Sequence, residues 1–153
     1  MLQFNDKVMV ALLPGPNVVR ADGELPHLTL VYAGSQDANT LMSLDALSKM
    51  ALSLALQNAP INLPVLTKDV FGDGTDDSPK VDVIRFHTTL GLIRMREAVQ
   101  SWNASKHPFT PHMTIGPEGS WQGDLPFSVT FDRVGFFNGD QHQEFRMKTI
   151  GVD

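Results

Sequence analysis

The sequence predicts an α+β protein rich in antiparallel sheet, on two observations. Two segments carry helical spacing of apolar residues, and they are outnumbered by short β-rich runs. These elements follow the order strand, strand, helix, strand, then strand, helix, strand, strand, strand, which is not the regular alternation of a doubly wound parallel sheet. The chain has 153 residues with 42% hydrophobic and 19% charged content, enough for a single domain spanning residues 1–153.

Each element has a local reason. Lys7 to Leu13 (KVMVALL) is a short apolar run ended by Pro14-Gly15-Pro16, the mark of a buried strand. A polar loop covers Asn17 to Glu24. Leu25 to Ala33 (LPHLTLVYA) is rich in β-formers, with Pro26 near its start, and Ser35 to Thr40 is a loop with several possible helix caps. Leu41 to Gln57 places Leu44, Leu47, Met50, Ala51 and Leu54 on one helical stripe, stopped by Asn58, Ala59 and Pro60. Ile61 to Phe71 is extended, Gly72 to Pro79 a loop, and Val81 to Phe86 a strand. Thr88 or Thr89 caps a second helix through Leu92, Met95, Val99 and Trp102. Phe109 to Ile115 is a strand around Pro111, and Gly116 to Gly123 a loop. Phe127 to Phe137 and Gln143 to Ile150 are strands joined through Asn138-Gly139, a hairpin signal.

Composition narrows the function. Twelve Lys and Arg against 17 Asp and Glu give a net charge of −5, which argues against a grip on long nucleic acid but leaves room for a small phosphorylated ligand. The absence of cysteine excludes thiol catalysis, disulfides and Cys-based metal sites. No apolar run approaches a membrane span, and Met1 to Asp6 lacks the form of a signal peptide, so a soluble, cytoplasmic protein with no membrane partner is expected.

One element occurs twice. Pro26-His27-Leu28-Thr29-Leu30 and Pro111-His112-Met113-Thr114-Ile115 share the pattern Pro, His, apolar, Thr, apolar, with the histidines 85 residues apart. Two such strings arise by chance on the order of once in a thousand chains of this size. On a strand, residues i and i+2 share a face, so each motif presents an imidazole beside a hydroxyl, backed by apolar residues. One neutral imidazole can take a proton from a nucleophile while another, protonated, supplies the leaving oxygen. The hydroxyls can hold phosphoryl oxygens. No metal or cofactor is needed for this, and neither motif carries a carboxylate that would complete a metal site.

These motifs resemble those of the two-histidine phosphoesterase superfamily, the LigT-like or RNA 2′,5′-ligase-like group, whose hallmark is one H-x-T/S motif in each half of the domain. KVMVALLP, PHLTLVYAG, the Leu41 to Gln57 helix and FTPHMTIGP are similar to the family's first strand, first motif strand, first-lobe helix and second motif strand. The resemblance implies two pseudo-symmetric α+β lobes around a central cleft, with His27 and His112 as the acid–base pair and Thr29 and Thr114 as phosphate-binding hydroxyls. It implies metal-independent phosphodiester cleavage in small nucleotides or RNA ends, by a monomer. Short phage-encoded members, the anti-CBASS phosphodiesterases, are similar in size, and degrade cyclic di- and trinucleotides; such a member would work in the host cytoplasm. The negative charge favours a cyclic or short oligonucleotide over tRNA or duplex. RNA-end processing of 2′,3′-cyclic phosphates, and a nucleotide sponge without catalysis, are the alternatives. The resemblance does not say which histidine is acid and which base.

Four further residues are candidates for substrate contact. Tyr32 could stack on a base, although its parity is opposite to that of His27 and favours packing. Trp121, in the loop after the second motif, could cover a base, or pack on the surface. Arg85 alternates with Val81 and Val83, as a cleft-facing phosphate ligand or an exposed strand end. Glu144 in the last strand matches an acidic position of some family members. Arg94 and Arg96 read as the solvated face of the second helix, and His87, His107 and His142 as surface residues. Asp73, Asp76 and Asp77 depart from a calcium loop at Thr75 and Ser78.

Overall fold

The computed structural model describes residues 6–16 and 18–148. The signal-peptide reading at the N-terminus rests largely on Met1 to Asn5, and the predicted last strand ends on Thr149 and Ile150; these residues, like Asn17, lie outside the described ones. In chain order the elements are β1 (Lys7–Pro14), β2 (Leu28–Ser35), α1 (Leu41–Gln57), β3 (Ile61–Phe71), β4 (Val81–Phe86), α2 (Leu90–Val99), β5 (His112–Pro117), β6 (Ser128–Asn138) and β7 (Gln141–Arg146). Single 3₁₀ turns occupy Gln36–Ala38 and Gln100–Trp102, so Trp102 lies just beyond the α-helix predicted to contain it.

All pairings are antiparallel, in one seven-stranded sheet of order β2-β1-β6-β3-β4-β5, with β7 also on β6. β1 holds one edge of β6. The other edge is shared, Ser128 to Phe131 pairing with β3 and Arg133 to Asn138 with β7. β3 changes partner at Pro64: Ile61 to Pro64 pairs with β6, and Val65 to Phe71 pairs with β4. Among the described residues no helix is long and apolar enough to cross a membrane.

Both helices cover one face of the sheet. Leu47, Ala51, Leu54 and Ala55 of α1 and Leu92, Met95 and Val99 of α2 bury against Val8, Val10, Leu12, Leu28, Phe131 and Val134. Leu44 and Met50 of the predicted stripe are half-buried at its margin. Met9, Ala11, Leu13 and Phe137 form a smaller cluster on the opposite face, beneath Leu25. Coverage on both faces explains why β1 reads as an unbroken apolar run rather than an alternating one.

The helix starts are set by threonines. Thr40 accepts from Ser43 N–H while Ser43 Oγ accepts from Thr40 N–H, and Asn58 Nδ2 donates to the Leu54 carbonyl at the other end of α1. Thr89, not Thr88, caps α2. The β6–β7 turn is Gly139-Asp140, with Gly139 at φ +64°, where a glycine costs little. The two motif strands begin later than predicted, at Leu28 and His112. Pro26 and Pro111 have no N–H to give a ladder, although the Pro111 carbonyl still accepts from Phe86 N–H at 3.1 Å.

Candidate active site

The two motif strands are the two ends of the sheet path, and each deviates from regular pairing at the same motif position. In β2, Thr29 pairs with Ala11 but Val31 with Val10, leaving Leu30 as an extra residue. In β5, Thr114 pairs with Val83 but Gly116 with Asp82, leaving Ile115 extra. A bulge thus follows each motif threonine. The extra carbonyls, which the ladder cannot use, find other donors: Arg96 Nη1 donates to the Leu30 carbonyl at 2.6 Å, and Ala21 N–H donates to the Ile115 carbonyl at 2.9 Å. Gly116 adopts φ +149°, and a Cβ there would lie 3.0 Å from Ala21 Cβ, so the second bulge requires glycine.

The first bulge corrects the reading of Tyr32. Alternation would place Tyr32 opposite to Thr29, but Leu30 and Val31 are both buried in the main core, and Tyr32 returns to the Met9 side. Tyr32 therefore shares a cavity of about 410 Å³ with His27, Thr29, His112, Thr114, Met9 and Lys7. All four motif residues meet in that space.

The imidazoles are held alike. His27 Nδ1 lies 3.0 Å from the Leu25 carbonyl and His112 Nδ1 lies 2.7 Å from the Thr110 carbonyl. A carbonyl only accepts, so both Nδ1 atoms carry hydrogen, and in each neutral ring Nε2 keeps its lone pair. His27 is buried, and burial lowers its pKa to about 4; the backbone bond opposes this, while Arg20, His112 and Lys7 add to it. Burial also lowers the pKa of His112, helped by Arg85 and opposed by the Thr110 bond. Of these cations Arg20 is paired with Asp22 and Arg85 with Asp69, while Lys7 lines the cavity itself. Among the described residues no three His, Asp or Glu side chains are grouped to hold a metal ion.

The remaining candidates separate. Arg85 pairs across the ladder with His112, contacts Asp69 at 3.4 Å, and has a buried Nε without a hydrogen-bond partner. Arg85, Trp121 and Glu144 line neither this cavity nor its neighbour. Trp121 packs its ring on the main core and donates its backbone N–H to the buried carboxylate of Asp82, which also holds the Gly119 backbone N–H, both at 3.1 Å. Glu144 is bound by Arg133 and by His142, at 2.8 Å. His142 in turn stacks on Phe137, whose ring centre is 5.9 Å from that of His27. His142 is exposed, as the sequence predicts, and its ring adds an outer layer over Phe137.

A second cavity, of about 610 Å³, adjoins the first through Thr29, Tyr32 and His112. Phe71, Arg96, His107 and Phe109 are among its walls. Phe71 also packs on the His112 ring, with centres 4.6 Å apart. Arg96 was misplaced by the sequence: it reaches the bulge carbonyl and lies over the Phe109 ring at 5.1 Å. Its signal was available, because Arg96 stands four residues after Leu92 and three before Val99, on the buried side of α2. Lys7 and Asp82 carried no comparable mark, since their roles depend on which strands become neighbours.

No protein-family model matches the chain, and no curated protein matches it. Solved structures do match. A phosphoesterase structure is 17% identical over 94% of this chain and 96% of that one, with TM-score 0.52. A Thermus thermophilus protein is 14% identical over 94% and 100% of the respective chains, with TM-score 0.56. Escherichia coli LigT complexed with NADP+ is 20% identical over 94% and 95%, with TM-score 0.50. Likeness at this level of identity is likeness of architecture, and on it the chain is an α+β protein with a LigT-like fold.

Proposed function

We propose that the protein is a two-histidine phosphodiesterase acting, as a monomer, on small cyclic or short oligonucleotides, with its two motif strands serving as equivalent halves of a pseudo-symmetric site. The observation that carries this reading is the shared cavity of His27, Thr29, His112 and Thr114, in which both imidazoles are fixed through Nδ1 in the same way. One neutral ring takes the proton of a water or 2′-hydroxyl on Nε2. That oxygen attacks phosphorus, the bond to the leaving oxygen breaks, and the other ring, protonated, supplies the leaving oxygen with a proton. The threonine hydroxyls donate to the non-bridging oxygens, and Arg85, with its unpartnered Nε, adds positive charge beside His112. The proton ledger closes on the two rings after exchange with solvent, so the chemistry calls for no metal. The likeness to LigT, a protein seen with NADP+, is consistent with a nucleotide as ligand.

The test is cleavage, followed by mass spectrometry in the presence of EDTA, of 2′,3′-cyclic mononucleotides, 2′,5′- and 3′,5′-linked dinucleotides and cyclic di- and trinucleotides. Wild type should cleave at least one class, and His27→Ala and His112→Ala should each lose about 10²–10⁴-fold in rate. Unchanged turnover in both variants would overturn the assignment. Tight binding with full recovery of intact ligand would make the protein a nucleotide sponge instead.

A further inference from the structure

We propose that the larger cavity is a nucleobase subsite, so that the base lies on the His112 side of the phosphate, stacked within a platform built by Phe109 and Arg96. This rests on the reading of the smaller cavity as the phosphate site. The two cavities share Thr29, Tyr32 and His112, whereas His27 and Thr114 line only the smaller one. A ligand with its phosphorus between the imidazoles can therefore extend one way into the larger space, past His112. What it meets there is aromatic: Tyr32, Phe71 and Phe109. A volume of about 610 Å³ admits one nucleoside with room for water. Base-on-aromatic stacking contributes about 1–3 kcal/mol and accepts every base.

The platform is built before any ligand arrives. The bulge after Thr29 leaves the Leu30 carbonyl outside the ladder, Arg96 donates to it at 2.6 Å, and the anchored guanidinium covers Phe109. A planar cation held in this way costs little further ordering when a base stacks against the pair. The same bulge brings Tyr32 to the cavity. One local irregularity thus serves both the phosphate residue Thr29 and the proposed base site.

The experiment is titration calorimetry with nucleoside 3′-monophosphates and, as the probe without a base, inorganic phosphate. Wild type should bind the nucleotides at least about tenfold more tightly than phosphate. Phe109→Ala should erase most of that difference while leaving phosphate affinity within about twofold, and Phe109→Tyr should restore it. For any substrate cleaved, Phe109→Ala should raise KM about 5- to 150-fold, the range of the stacking contribution, with kcat within about threefold. Equal binding of nucleotide and phosphate by wild type, or equal loss of both in Phe109→Ala with its melting temperature intact, would overturn the subsite. A base-dependent difference without cleavage of any nucleotide would sustain the subsite and overturn the catalytic reading.

Discussion

At the scale of single residues, the two histidines differ in burial more than in bonding. Each is tied by Nδ1 to the carbonyl two residues earlier, yet His27 is the more deeply enclosed and titrates near 4, while His112 is lowered from 6.5 by the same cause. A mechanism that needs one ring neutral and one protonated works best between the two pKa values. The profile of kcat/KM against pH should therefore peak between about 4 and 6.5 and decline above it. A bound phosphate anion favours both imidazolium forms, so the kcat profile should lie at higher pH than that of kcat/KM. Initial rates across pH 4–9 check this, and a kcat/KM maximum above pH 7.5 would contradict it.

At the scale of elements, the decisive features are the two bulges. Each motif supplies its own alternation through His and Thr, then breaks it one residue later, and in β2 that break turns Tyr32 to the cavity side. Asp82 secures the second of these. Its carboxylate, 1% exposed, receives Gly119 and Trp121 N–H and faces Lys68 at 3.7 Å, pinning the turn that follows β5. Asp82→Ala leaves two amides without that acceptor and should cost about 2–4 kcal/mol in urea unfolding. Asp82→Asn keeps an acceptor oxygen and should cost clearly less. Hydrogen exchange at the Gly119 and Trp121 amides should accelerate in the alanine variant, and unchanged exchange would show the turn is held by other contacts.

At the scale of the whole molecule, burying neutral imidazoles ties stability to pH. A histidine whose folded pKa lies below its unfolded value of 6.5 binds fewer protons when folded, so stability is fully present above pH 6.5 and is lost as pH falls towards 4. For His27 the loss is on the order of 3 kcal/mol, and His112 adds in the same direction. The carboxylates held low by their partners, Asp22 with Arg20 and Glu144 with His142 and Arg133, act at still lower pH. The urea midpoint should fall between pH 7 and 4.5, and fall less in His27→Gln. Identical pH dependence in the two proteins would show that His27 does not carry this linkage.

Much of this was open to reading in the sequence because it is local. Helix α1 is legible from its apolar stripe, Thr40 and Pro60; the hairpin from Asn138-Gly139; the paired motifs from repetition of five residues at half-chain distance. These depend on backbone periodicity and turn chemistry, which act over a few residues. The start of β2 and β5, the turning of Tyr32, the capture of Arg96 by the Leu30 carbonyl, and the separation of Trp121 and Glu144 from the cavity were not legible. Each depends on which strand pairs with which, and on where one extra residue enters the ladder. The sequence by itself determined that the chain carries two imidazole–hydroxyl pairs and on what elements; only the tertiary structure decided which side chains share a cavity, because a one-residue shift in register changes a side chain's face without altering any local propensity.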